Sequence, residues 1–246
     1  MAAAVTIDFH DTLFLCDDWF MLEVRDLPLK YFDWRATKNG TSVDAMLLER
    51  VVPEYRALRL AIIESGIEID AVENIVRVCE TLDIEADRKE IALAVDELMN
   101  ATLANAAPRP GVLDFVTTLK AAGIPLGIVS NAIHEPFLEW AVEAAGMHDL
   151  FDSILTSARA GYYKSRPEIY LQAARELGVP PEDVIHIGDS LRFDVAGAAA
   201  AGMRTVWLDL GHEPLGDGKP DLTITGFEGL TDILFDLFQL RRADAL

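Results

Sequence analysis

Ile185-His186-Ile187-Gly188-Asp189-Ser190-Leu191-Arg192-Phe193-Asp194 is the segment on which the fold turns. Residues 184–187 form a short β-branched run that stops on a glycine–acid pair, which predicts a buried strand. Residues 194–201 then read as a helix of small side chains. Outward from this unit the alternation repeats: a strand over 205–208 follows it, and a helix over 168–177 precedes it. Earlier still come a strand over 153–156, a helix over 137–145, a strand over 124–129 ending at Ser130, and a helix from Val112 to Leu119 closed by Gly123. Strands alternating with helices imply parallel β-α-β units.

Near the start, Val5-Thr6-Ile7 predicts one more strand, ending at Asp8. From about residue 18 to 105 the texture changes. Val43, Met46, Leu47, Val51, Tyr55, Leu58 and Ile62 recur at helical spacing, as do Ile91, Val95, Leu98 and Thr102. This stretch predicts about four helices and no strand. Pro108-Arg109-Pro110-Gly111 then punctuates the chain, with proline placed to open the next helix. Near the end, Leu230, Ile233, Leu234, Leu237 and Phe238 mark a terminal helix. The expected fold class is α/β: a Rossmann-like three-layer core with a parallel sheet, spanning 1–16 and 106–246, interrupted by an α-helical cap over 17–105.

Composition sets the remaining bounds. The 246 residues carry 21 basic and 41 acidic side chains, a formal charge of −20, and are 51% hydrophobic. That supports a sizeable core and argues against disorder. The acidity argues against nucleic acid and anionic membranes as partners, because both recruit basic patches. An anionic substrate must therefore be met by local cations or a metal. Cys16 and Cys79 form no disulfide framework and lack zinc spacing, and no run approaches the ~18 apolar residues of a membrane span. Residues 1–9 lack the basic region of a signal peptide. A cytoplasmic enzyme is expected.

Ligands of parallel α/β sheets bind at the carboxyl ends of the strands. The polar residues there are Asp8, His10, Asp11 and Thr12; Ser130 and Asn131; Lys164, before the helix that starts near Pro167; and Asp189 with Asp194. Carboxylates suit Mg²⁺, which takes oxygen ligands, and with a lysine and a hydroxyl the set suits a phosphoryl group.

These residues resemble the four motifs of the haloacid dehalogenase-like hydrolase superfamily, in order. Asp8-Phe9-His10-Asp11-Thr12-Leu13, Ile128-Val129-Ser130-Asn131, Gly161 to Pro167 around Lys164, and Ile185 to Asp194 carry the resemblance. The helical insert falls just after the first motif, as in the subgroup with an α-helical cap there. The resemblance implies a Mg²⁺-dependent phosphatase acting on a small phosphorylated substrate. Asp8 is then the nucleophile that forms an aspartyl-phosphate. Asp8, the His10 carbonyl, Asp189 and Asp194, the last directly or through water, hold the metal. Ser130 and Asn131 meet the phosphoryl oxygens, Lys164 neutralises charge and steadies Asp8, and Thr12 orders the turn. Association as a homodimer stays an open option.

The chain departs from the family pattern at His10, where family phosphatases carry a second aspartate as general acid and base. Three readings stay open: a working acid/base, a marker of a different leaving group, or a marker of weak activity in a protein that binds a phosphorylated ligand or a protein partner. Carbon–halogen hydrolysis, which is metal-free in the family, is disfavoured by Asp189. Phosphonate cleavage would need a cap lysine, and nothing singles out Lys30 or Lys38. Trp34, Arg35 and Lys38 form an aromatic-basic cluster in the insert and are the candidates for specificity, whereas Trp19, Phe20, Tyr31 and Phe32 read as packing. His186, inside a strand, reads as a packed residue rather than a ligand.

Overall fold

Among the described residues eight strands order the chain: β1 (Ala4–Ile7), β2 (Phe14–Leu15), β3 (Ala107–Pro108), β4 (Leu126–Ser130), β5 (Ser153–Thr156), β6 (Val184–Gly188), β7 (Arg204–Leu208) and β8 (Leu222–Ile224). The structure is a computed structural model and describes residues 2–212 and 218–241. Met1, 213–217 and 242–246, all within the span assigned above to the core, lie outside the described residues. Six strands form one parallel sheet in the order β5-β4-β1-β6-β7-β8. The expected Rossmann-like α/β class is what the chain adopts. β8 was not anticipated: Leu222-Thr223-Ile224 is too short to show a period, and only pairing with β7 defines it.

Successive strand residues point to opposite faces. Val5, Ile7, Ile128, Ile185 and Ile187 pack into one apolar cluster with the helices Val112–Ala121, Glu135–Ala144 and Leu230–Leu237. Ala4, Val129, Leu155 and Val184 face the other way, against Tyr170 and Ala173 of helix Pro167–Glu176 and Ala198 of helix Ala196–Ala200. Helices therefore cover both faces, and the central strands read as near-continuous apolar runs, as parallel strands do.

Between β2 and β3, which pair as a two-stranded antiparallel ribbon, runs the helical insert. Its longer helices are Leu27–Lys38, Ala45–Ser65, Ala71–Thr81 and Arg88–Thr102, preceded by a short helix Asp17–Met21 and a π-turn Leu22–Asp26. Three of them begin on an aspartate whose carboxylate accepts a backbone N–H: Asp44 from Met46, Asp70 from Glu73, and Asp87 from Lys89 and Glu90. Gly66, at φ 71°, ends the longest helix, because the left-handed turn suits a residue without Cβ. The Pro-Arg-Pro-Gly punctuation works differently from expectation. Pro108 pairs in the ribbon, and Gly111 in a left-handed conformation opens the next helix. The helix expected over 194–201 is likewise a π-turn Leu191–Val195 continued by a short α-helix.

Candidate active site

Strand register decides which residues meet. Ile7 lies opposite Ile128 of β4 and Ile187 of β6, so Asp8, and one residue further on Ser130 and Asp189, emerge together at the carboxyl edge of the sheet. Carboxylate oxygens of Asp8, Asp189 and Asp194 lie within 4.8 Å of one another. Lys164 enters this cluster almost fully buried; its Nζ lies 2.5 Å from Asp8 Oδ1 and also pairs with Asp194 Oδ1. Gly197 makes this approach feasible, since a Cβ there would meet the Lys164 carbonyl oxygen at 2.2 Å.

Three carboxylates thus gather here, two of them paired with one ammonium. Burial pushes the Asp8 carboxyl up to about 6, with Lys164 opposing it. Burial, reinforced by the negative charges of Asp8 and Asp194, pushes Asp189 up to about 8. Asp194 is held down to about 2 against its own burial, because Lys164 and His186 both favour its anion. For Lys164, the two carboxylates overcome burial and hold its pKa above the usual lysine range, so it stays charged. An all-oxygen donor set with surplus negative charge fits a hard divalent cation such as Mg²⁺. Asp194 is the most committed of the three. Its Oδ1 serves Lys164 and His186, and its Oδ2 accepts the Ser190 N–H at 2.9 Å.

The other expected site residues take distinct positions. Ser130 is buried at the end of β4 beside Thr156. Asn131 Oδ1 accepts the Lys164 N–H at 2.7 Å, so this amide sets the lysine loop. Thr12 is fully buried, and its hydroxyl reaches across the turn to Asp189 Oδ1 at 3.4 Å. The His10 imidazole stacks on Phe20 with ring centroids 4.2 Å apart. Its Nε2 lies 3.3 Å from Asp17 Oδ1, and its Nδ1 lies 3.7 Å from Asp11. Asp11, at φ 57°, turns its carboxylate away towards Arg109 at 3.6 Å.

Trp34, Arg35 and Lys38 are spent inside the insert: Trp34 and Lys38 bond Glu97, and Arg35 pairs with Glu90. The residues by which the insert reaches the site were not anticipated. Both Glu23 carboxylate oxygens lie 3.2 Å from the Ile133 N–H, and Oε1 also takes the His134 N–H, which ties the π-turn to the loop after Ser130 and Asn131. Asp96 bonds His134 Nε2 at 2.9 Å, and Glu68 accepts from Ser157 while pairing with Arg59. Tyr163 donates its N–H to the Gly66 carbonyl just before Lys164. The signal available in the sequence was an acid set among apolar neighbours, as Glu23 is between Leu22 and Val24.

Comparison with known proteins agrees with the motifs. The family model described as haloacid dehalogenase-like hydrolase matches residues 4–202. A glyceraldehyde 3-phosphate phosphatase of Methanothermobacter thermautotrophicus is 29% identical over 209 residues, covering 85% of this chain and 86% of the relative. Among solved structures, a phosphatase from Thermococcus onnurineus superposes with a TM-score of 0.63 at 25% identity. A 2-haloacid dehalogenase from Pseudomonas syringae does so with a TM-score of 0.69 at 25% identity. Each alignment covers 95% of this chain and 98% of the other. The shared fold therefore accommodates both chemistries, and the site has to separate them.

Proposed function

As this chain belongs to the haloacid dehalogenase-like hydrolases, we propose that it is a phosphatase that hydrolyses a small phosphorylated metabolite through an aspartyl-phosphate on Asp8. The observation that carries this reading is the cluster of Asp8, Asp189 and Asp194, two of whose carboxylates, Asp8 and Asp194, pair with the ammonium of Lys164. Attack on a neutral carbon–halogen bond gains nothing from a second and third carboxylate. Phosphoryl transfer beside a cation does. Bound Mg²⁺ would be held by Asp8, the His10 carbonyl and Asp189, with Asp194 contributing directly or through water, and would offset the charge that otherwise keeps phosphate and carboxylate apart.

The side chains supply the remaining steps. With its carboxyl at about 6, Asp8 is mostly ionised at neutral pH, and one oxygen attacks phosphorus as the bond to the ester oxygen breaks. Lys164 keeps that carboxylate charged and fixed. The Ser130 hydroxyl and the Asn131 amide NH₂ meet the phosphoryl oxygens. His10 gives a proton to the departing alkoxide and then takes one from the water that attacks the aspartyl-phosphate, which releases inorganic phosphate and restores Asp8. Asp17 orients the ring for both transfers. Residues 17–105 act as a cap that excludes water over the substrate.

The activity of the phosphatase relative makes glyceraldehyde 3-phosphate the first substrate to test. Phosphate release is measured with Mg²⁺ and with chelator, using Asp8→Asn as the blank. Mg²⁺-dependent release absent from the blank supports the proposal; no release from any phosphorylated metabolite in a broad panel rejects it. His10→Asp then decides the role of the histidine. A loss of turnover assigns His10 as the working acid/base, and a large gain assigns the position to a weakened enzyme.

A further inference from the structure

Two polar residues interrupt the apolar strands beneath the site. Thr6 of β1 and His186 of β6 stand opposite each other in the parallel register and are both buried. Thr6 Oγ1 lies 2.9 Å from His186 Nδ1, and His186 Nε2 lies 3.1 Å from Asp194 Oδ1. The Tyr170 ring closes over the imidazole edge-on, with centroids 4.9 Å apart. Among the described residues, the charged groups that face this imidazole are Asp194 and, through it, Lys164. Burial holds the imidazole below its usual pKa, against the opposing pull of Asp194, and so favours its neutral form.

The chemistry of the partners fixes the proton. An ionised Asp194 can only accept, so Nε2 carries the hydrogen and donates it. Nδ1 is then bare and accepts from the Thr6 hydroxyl, whose own hydrogen is free to point there. A leucine or phenylalanine would fill this slot in the core with no polar atom to desolvate. A fully buried imidazole is costly unless both nitrogens are bonded. Here both are, and the second bond leads to the site: Thr6 to His186, His186 to Asp194, and Asp194 to the lysine that holds the nucleophile.

We infer that His186, oriented by Thr6, is a positioning residue that fixes the Asp194 carboxylate and through it sets Lys164 between Asp194 and Asp8. It touches neither substrate nor reacting atoms, so it acts through Asp194 alone. Partners of this kind commonly govern both metal affinity and turnover. The kinetic part of the inference rests on the phosphatase reading above; the part concerning proton placement and Mg²⁺ affinity stands on geometry.

The test compares the full chain with His186→Leu, His186→Gln and Thr6→Val. It uses three readouts: phosphate release from glyceraldehyde 3-phosphate, calorimetric titration with Mg²⁺ alone, and ¹⁵N NMR of the histidine rings. The expected result for His186→Leu is a kcat and a Mg²⁺ affinity each lower by roughly 10–100-fold with KM little changed. His186→Gln, whose amide N–H can replace the lost donor, recovers most of both. In the wild type, NMR shows the Nε2-protonated tautomer, and in Thr6→Val that preference weakens. A folded His186→Leu protein with wild-type kcat and Mg²⁺ affinity overturns the inference, as does an Nδ1-protonated ring in the wild type. Should His186→Leu fail to fold, His186→Gln and the wild-type tautomer decide. If the wild type releases no phosphate from any ester, the phosphatase reading fails by itself, and the Mg²⁺ titrations and NMR still judge His186.

Discussion

Replacing Asp189 by Asn should stabilise the metal-free protein while abolishing its activity. The Asp189 carboxyl lies at about 8 in the folded chain, against 3.8 for the free side chain, because burial and the charges of Asp8 and Asp194 oppose its ionisation. Between those two values the folded state holds a proton that the unfolded state has released. The group's contribution to stability is therefore complete below about pH 3.8, falls as pH rises, and is fully lost above about 8. At about 1.4 kcal/mol per pH unit the gap corresponds to roughly 6 kcal/mol. The side chain is only partly buried, and water at the sheet edge screens it, so about 3 kcal/mol is the working figure. Asn keeps the acceptor for the Thr12 hydroxyl and removes the charge. In chelator at pH 8, Asp189→Asn should melt higher than wild type by roughly 6–12 °C, at ~2–4 °C per kcal/mol for a chain of this size. The two melting curves should converge near pH 4. Mg²⁺ should stabilise the wild type, by about 2.7 kcal/mol at a hundredfold excess over its dissociation constant, and leave the variant unmoved. Differential scanning calorimetry across pH 4–9, with and without Mg²⁺, reads all of this. An Asp189→Asn melting point at or below wild type, in chelator at pH 8, would refute the argument that surplus negative charge defines this site.

Further outcomes follow from the same geometry. Asp8→Asn should lower phosphate release by on the order of 10⁴-fold or more with the fold intact, which circular dichroism and a phosphate assay check together. Gly197→Ala forces a Cβ against the Lys164 carbonyl and the Tyr170 ring, and should cost roughly 1–3 kcal/mol in urea unfolding, with Lys164 displaced and turnover reduced. Burial lifts the Glu23 carboxyl to about 8 from the ordinary 4.5; Glu23→Gln should match wild type in stability near pH 4, gain on it progressively as pH rises from about 4.5 to 8, and hold a constant advantage above that, which melts across pH 4–9 check. Arg59→Met strands the buried Glu68 carboxylate, and thermal melts should show a loss of roughly 3–5 kcal/mol.

The sequence by itself determined most of the α/β layer, because the decisive signals there are local. β-branched runs such as Val5-Thr6-Ile7 and Ile185-His186-Ile187 announce buried strands, and the acids, serine and lysine directly beyond such strands name the groups at the sheet edge. β8 escaped because three residues carry no period, and it is defined by its pairing with β7. The left-handed Gly111 that opens a helix, where proline seemed placed to do so, is likewise a backbone decision that composition does not encode.

Tertiary structure alone decided what each site residue faces, since that depends on residues far apart in the chain. Thr6 meets His186, 180 positions away, only through strand register, which turned a packed histidine into the residue behind Asp194. Glu23 reaches the loop after Ser130 across 110 positions, and Lys164 reaches Asp8 across 156. His10 shows the same limit from the opposite direction. Its place two residues after Asp8 is fixed by sequence, but the direction of its ring is set by Phe20 and Asp17, on the helix that begins the insert. Local pattern fixes which groups the chain offers to the site; side-chain direction and charge state depend on the neighbours that packing supplies.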